Sequence, residues 1–232
     1  KKWEKIILEE SSKILCTTEK QIEWYKNKYG LVCQLLPHSI KDHEIPNINS
    51  ISKIKTRDNK NEIVIIYVGN INHIMNLDVM QKFVKSVDLL PQKFKIRFFT
   101  SWNATTCKKN NLYHDRISYN WATKSNIKSE ISKADLVILP LSFENCSQEE
   151  VETVFSTKTL DYLISGIPIV VIAPENSYHS LSAKSNRWGS VINNDDPEII
   201  AQSLLKLTKD KNTSVNCVKN SLKEAYKRRS SI

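Results

Sequence analysis

Glycine is scarce, four in 232 residues, and no segment carries the spacing GxGxxG or GxxxxGK[ST]. A glycine-rich phosphate cradle cannot be built from so few, which argues against dinucleotide-dependent and P-loop enzymes. HExxH and GxSxG are missing too, so neither a zincin helix nor a nucleophile elbow is present. The five cysteines, Cys16, Cys33, Cys107, Cys146 and Cys217, are odd in number, scattered and without a CxxC pair. That pattern argues against a disulfide framework and a zinc cluster and fits a reducing compartment. The sequons at Asn103, Asn145 and Asn212 would matter only in a secreted chain. Long apolar runs are also lacking: stretches such as Ile63–Val68 are far too short to span a bilayer. No signal peptide is recognisable and the sequence opens on Lys1 rather than Met, so the expectation is a piece of a longer protein.

The composition itself is globular, 40% hydrophobic and 25% charged. The net charge of +9 is unevenly spread. Residues 135–200 hold three basic against ten acidic side chains, while residues 1–60, 61–134 and 201–232 are all basic in balance. Such a surface suits an anionic partner, a nucleotide or a membrane face, as well as a plain solvated Lys-rich exterior. The basic clusters lack interleaved aromatics, which counts against nucleic acid.

The order of apolar periodicities sets the fold class. Residues 63–68 (IVIIYV) form a β-branched run ending at Gly69, and Leu77, Met80, Val84 and Val87 then recur at helical spacing up to Pro91. Further strands are expected at 95–100, 135–139, 169–172 and 190–193. Helices are expected at 126–133, 156–165, 197–207 and 215–227, the second of these closed by Gly166 and the third opened by Pro197. Continuous apolar strands alternating with helices predict an α/β fold, a Rossmann-like parallel sheet with helices on both faces. Residues 1–45 read as a separate βα-type unit, with helices at 3–10 and 19–29 and strands at 14–16 and 32–36, and residues 46–60 as a linker to a domain spanning 61–232.

A parallel sheet of this kind binds ligands beyond the carboxyl ends of its strands. Residues 69–76, 100–103, 140–147 and 174–178 are therefore the loops to inspect. A metal site is not expected: the nearest acidic groupings, Asp42-His43-Glu44 and Asp195-Asp196, fall in expected loops. Lys158 and Asp161 stand three residues apart on one helix face. A cation in a first helical turn is poor for the helix and good for a phosphate. His38, His43, His114 and His179 read as surface or locally hydrogen-bonded histidines, and Trp102 and Trp188 as aromatics packed under loops.

The pattern ADLVILPLS followed by STKTLDYLISGIPIVV resembles the C-terminal domain of glycosyltransferase group 1 proteins of the GT-B fold. There, a strand ending in proline precedes a Lys-x-x-acid-Tyr helix and a Gly-x-Pro-hydrophobic strand. IVIIYVGNINHIMNLDVM is similar to that domain's opening strand and glycine loop, and WGSVINNDDPEIIAQSLLKL to its closing segment. Residues 9–40 (EESSKILCTTEKQIEWYKNKYGLVCQLLPHSI) are similar to the last unit of the N-terminal, acceptor-side domain plus the start of the interdomain linker.

The resemblance implies a nucleoside-diphosphate sugar as donor substrate, with no other cofactor and no metal. By position, Lys158 would contact the donor diphosphate and Asp161 the ribose hydroxyls. Ser142, Glu144 and Asn145 would lie near the base or sugar, and Gly69 would let backbone approach the diphosphate. Asn70 and His73 fall in the first loop, and Ser156 and Thr157 would open a helix whose N–H groups face phosphate. Two positions depart from the family pattern. Asn70 and Met75 stand where many relatives carry Arg and Lys, and Thr153 stands eight residues before Asp161, where retaining members carry Glu. The expected function is metal-independent sugar transfer to a glycan or lipid-linked acceptor in polysaccharide biosynthesis. The expected place is the cytoplasm, with peripheral contact on the inner membrane face. The other reading is a non-catalytic nucleotide-sugar or protein-binding module on a degenerate transferase fold.

Overall fold

The computed structural model describes residues 2–47 and 61–230. Most of the expected linker, residues 48–60, lies outside the described residues. The N-terminal unit comprises α1 (Lys2–Glu9), β1 (Leu15–Cys16), α2 (Glu19–Tyr29), β2 (Gln34–Leu35) and β3 (Ile40–Lys41). α2 is well delimited because Thr18 caps it by accepting from the Gln21 N–H and Gly30 closes it with φ of 69°.

The rest of the chain carries β4 (Ile63–Val68), α3 (Leu77–Asp88), β5 (Phe94–Phe99), α4 (Ala104–Lys109), β6 (Ile117–Asn120), α5 (Lys124–Ile131) and β7 (Leu136–Pro140). It continues through α6 (Gln148–Thr153), α7 (Lys158–Ile164), β8 (Ile169–Ile172), α8 (Tyr178–Asn186), β9 (Ser190–Ile192), α9 (Pro197–Lys209), α10 (Lys211–Lys227) and β10 (Arg229–Ser230). Six strands form one sheet in the order β6-β5-β4-β7-β8-β9, with every pairing parallel. This is the α/β, Rossmann-like architecture expected from the apolar runs.

Alternation along the strands feeds two cores. On one face Ile65, Tyr67, Phe98 and Ile138 pack with Met80, Phe83 and Val84 of α3 and Leu204 of α9. On the other face Ile66, Val137, Leu139 and Val171 pack with Tyr162 and Leu163 of α7, Trp188, and Ala225 of α10. Both faces being covered explains why β4, β7 and β8 lack the polar alternation of a half-exposed strand.

The sequence-based expectations need several corrections. β6, α4, α6 and α8 were not expected as elements. The expected helices at 156–165 and 215–227 run over Lys158–Ile164 and Lys211–Lys227. The expected strand at 32–36 shrinks to Gln34–Leu35. The C-terminal end also returns to the N-terminal unit, since β10 pairs in parallel with β3.

The chain builds β4, β5 and β6 outward on one side, then crosses back to lay β7 beside β4. The reversal opens a crevice beyond the carboxyl ends of β4 and β7, the place where such sheets hold ligands.

Candidate functional site

β4 runs straight into Gly69, whose φ of 134° lies in a region that side chains avoid. The glycine is also needed for space. A Cβ there would stand 2.8 Å from Lys158 Cε and 2.9 Å from its Nζ, so the lysine ammonium lies directly against this backbone. Gly69 itself is tied to the neighbouring strand end, its N–H donating to the Phe99 carbonyl at 2.9 Å.

The loop after Gly69 is shaped by its own side chains rather than by further glycines. The Tyr67 hydroxyl donates to the Asn70 carbonyl at 2.7 Å, and Asn76 Nδ2 donates to both that hydroxyl at 3.1 Å and that carbonyl at 3.2 Å. Asn76 Oδ1 accepts from the Asn72 N–H, while Asn72 Oδ1 accepts from the N–H groups of Ile74 and Met75. Three asparagines thus do the work of a glycine-rich turn, with α3 beginning immediately afterwards.

Across the crevice, the segment after β7 is held by Asp78 in the first turn of α3. Its Oδ2 accepts from Ser142 Oγ at 2.8 Å, the Phe143 N–H at 3.0 Å and the Glu144 N–H at 3.2 Å. The Ser142 N–H donates to the Met75 carbonyl at 2.7 Å, joining the two loops at the switch point.

Lys158 opens α7 and projects back over β4. Its Nζ donates to the Tyr67 hydroxyl at 3.1 Å and stands 4.7 Å from the centre of that ring. Burial pulls the ammonium down to about 8, well below the ordinary lysine range. Burial likewise pushes the Tyr67 and Tyr162 phenols far up, so both remain neutral. Tyr162 Oη accepts from the Val68 N–H at 2.9 Å and thereby fixes α7 against the end of β4.

A cleft of about 300 Å³ results, lined by Asn70, Asn72, Met75 and Asn76 from the first loop, Leu139 to Leu141 from β7, residues 154–158, and His179. His179 is buried, and its Nε2 accepts from the Ser156 N–H at 3.0 Å. Burial and the nearby charges of Lys158 and Arg228 hold the ring neutral, down to about 3. No motif in the sequence marks His179; only the fold brings α8 against this turn.

Of the residues singled out in the sequence, Asn70, Ser156, Thr157 and Lys158 line this cleft and Gly69 supports it. Ser142 is fully buried beneath the second loop, where its Oγ also accepts from the Glu144 and Asn145 N–H groups. Glu144 is exposed, 3.8 Å from Lys82, and Asn145 is exposed beside it. His73 is exposed near Trp102. Asp161 is exposed on α7 and is not among the residues lining the cleft. Met75 does line it, at a position where a cation would have faced the same space. Among the described residues, no group of three or more His, Cys, Asp or Glu side chains is arranged to hold a metal ion.

The family described as Glycosyl transferases group 1 matches residues 62–210. No curated protein matches this chain. Solved structures do. Sucrose-phosphate synthase from Thermosynechococcus elongatus aligns with a TM-score of 0.69 at 13% identity, over 97% of this chain and 56% of its own. WaaG, a glycosyltransferase involved in lipopolysaccharide biosynthesis, aligns at 0.63 and 17% identity, over 92% and 58%. Anabaena Alr3699/HepE, solved with UDP and glucose, aligns at 0.69 and 11%, over 97% and 61%. The chain therefore spans less than two thirds of the length of each.

Proposed function

Since the chain belongs to the glycosyl transferases group 1 family, we propose that its cleft binds the diphosphate of a nucleoside-diphosphate sugar and that the whole protein transfers the sugar to a glycan or lipid-linked acceptor. The observation that carries this reading is the Lys158 ammonium, set against the bare backbone of Gly69 at the sheet's switch point and hydrogen-bonded to a neutral phenol. A half-buried ammonium whose pKa is lowered by burial gains most from an anion that restores its charge. HepE was solved with UDP and with UDP-glucose, which supports the same ligand class for the present cleft.

In this reading Lys158 and backbone N–H groups at the start of α7 neutralise the departing diphosphate, the charge that develops as the glycosidic bond breaks. No metal or further cofactor is required for that role. The acceptor is held by parts of the protein other than this cleft, and the basic surface supports contact with an anionic membrane face. No helix among the described residues is long and apolar enough to cross a membrane.

The test is calorimetric titration of the chain with UDP, GDP, ADP and CMP, followed by Lys158→Met on the best binder. One nucleoside diphosphate should bind, and the substitution should weaken it by about tenfold or more, the range of a charge-assisted pair. Binding that is indifferent to Lys158, or absent for all four, would remove the basis of the proposal and leave a protein-binding module as the better reading.

A further inference from the structure

We propose that His179 is a positioning residue: its neutral imidazole fixes the turn at residues 154–157 and so sets where Lys158 stands over Gly69. The inference rests on the donor-site reading above, and deepens it.

His179 sits on the second position of α8, whose N-cap Ser177 accepts from the Ser180 N–H. The ring is held in one plane by its neighbours. Phe155 stacks on it at 5.8 Å with an interplanar angle of 15°, and Tyr178 meets it edge-on at 6.3 Å. Phe155 is itself stacked by His38 at 5.8 Å and capped by the Arg228 guanidinium at 4.5 Å. The ring therefore cannot swing away from the turn without breaking a column that joins the N-terminal unit, the turn, α8 and the end of α10.

The hydrogen bond fixes the tautomer as well as the geometry. Nε2 accepts from the Ser156 N–H, so the ring proton is on Nδ1, which is buried and has no partner among the described residues. A protein keeps an orphaned buried donor at a cost, and here the return is an acceptor ahead of the helix, where helical geometry offers none. Ser156 stands two residues before α7, ahead of the helix's own carbonyls. Without the imidazole its half-buried N–H would lose this acceptor, and the turn would relax toward another partner. Lys158 follows two residues later, so a shift of the turn moves the ammonium relative to Gly69. Histidine suits the position because its acceptor lies in the plane of a ring that also stacks. Asparagine is too short to reach from the same Cα, whereas glutamine can place Oε1 near Nε2.

The experiment compares the wild-type chain with His179→Phe and His179→Gln. Phenylalanine keeps the stack and removes the acceptor; glutamine keeps an acceptor and removes the stack. Each is titrated with the nucleoside diphosphate that the wild type binds, and each is followed by amide hydrogen exchange at Ser156. We expect His179→Phe to fold, to lose protection at Ser156 and to bind about tenfold more weakly. His179→Gln should recover protection and most of the affinity, although it is the less well packed of the two. Equal affinity in wild type and His179→Phe would overturn the inference, as would equal losses in both variants, which would mark a packing role only. If His179→Phe does not melt cooperatively, His179→Met takes its place, with the same expected outcomes. A wild type that binds no nucleoside diphosphate refutes the donor-site reading instead, and the Ser156 exchange comparison still decides whether His179 holds the turn.

Discussion

At the scale of single residues, the role proposed for Lys158 sets stability against ligand binding. Its folded-state pKa of about 8 lies below the usual 10.5, so burying the charged form costs stability at neutral pH. That cost is present in full below about pH 8 and is relieved as pH rises from there toward 10.5. Ligand affinity has the opposite slope. An anion binds the ammonium form, so affinity for a nucleoside diphosphate should be flat from pH 7 to 8 and fall as pH rises beyond it, approaching tenfold per unit at the steepest. The decline levels off where the phosphate-bound lysine itself deprotonates. Lys158→Met should be more stable than wild type at pH 7 while losing both the affinity and its pH dependence. Calorimetric titrations between pH 7 and 9.5, where the phosphates are already ionised, check the slope, and urea melts of both proteins check the stability. Parallel slopes in the two proteins would mean that another group titrates.

Elements show what the sequence made legible and what it hid. β4, β7 and β8 were readable because strands covered on both faces leave an unbroken apolar run, and α3 because Leu77, Met80, Val84 and Val87 fall on one face. β6 was not readable: Ser118 and Asn120 alternate with Ile117 and Tyr119 at the sheet's edge, giving too little apolar signal. α8 hid for another reason, since the residues it buries are His179, Ser180 and Ala183, two of them polar. α6 did carry a signal in Ser147 and Glu150, which form a capping box, within a stretch whose acidity suggested a loop. Lys158 and Gly69 were singled out by resemblance and stand side by side at the candidate cleft, whereas His179 and Asp78 were not legible there, because their partners lie on other elements.

Asp78 carries the corresponding prediction for an element junction. Its carboxylate accepts the Ser142 Oγ hydroxyl hydrogen bond and helps satisfy two backbone N–H groups after β7. Asp78→Ala should cost about 2–4 kcal/mol by orphaning buried donors, and Asp78→Asn less, since one acceptor remains. Urea unfolding measures both. A loss under 1 kcal/mol for the alanine variant would show that the Ser142 N–H bond to Met75 holds the loop by itself.

Across the whole molecule, the N-terminal unit is attached by more than the chain. β10 pairs with β3, the Ile40 N–H donates to the Arg228 carbonyl at 2.9 Å, and Thr18 Oγ1 donates to the Thr153 carbonyl at 3.0 Å. Arg228 lies at the centre of this attachment. Its Nε donates to Glu224 at 2.9 Å, its Nη2 stands 3.4 Å from Tyr178 Oη, and its guanidinium covers Phe155. Glu224 is buried, with Lys227 at 3.3 Å as its other cation. Removing the arginine therefore does two things: it leaves a buried carboxylate with a poorer partner, and it uncovers the ring that stacks on His38 and His179. Arg228→Ala should destabilise by about 3 kcal/mol, and Arg228→Lys should recover little of it, because an ammonium can neither span Glu224 and Tyr178 as the planar guanidinium does nor lie flat on Phe155. The second effect reaches the cleft. A loosened Phe155 no longer presses His179 against the turn, so Arg228→Ala should also weaken nucleoside-diphosphate binding although Arg228 does not line the site. Melting curves and titrations on the same samples separate the two effects. Lost stability with unchanged affinity would mean that the C-terminal return holds the N-terminal unit and nothing more.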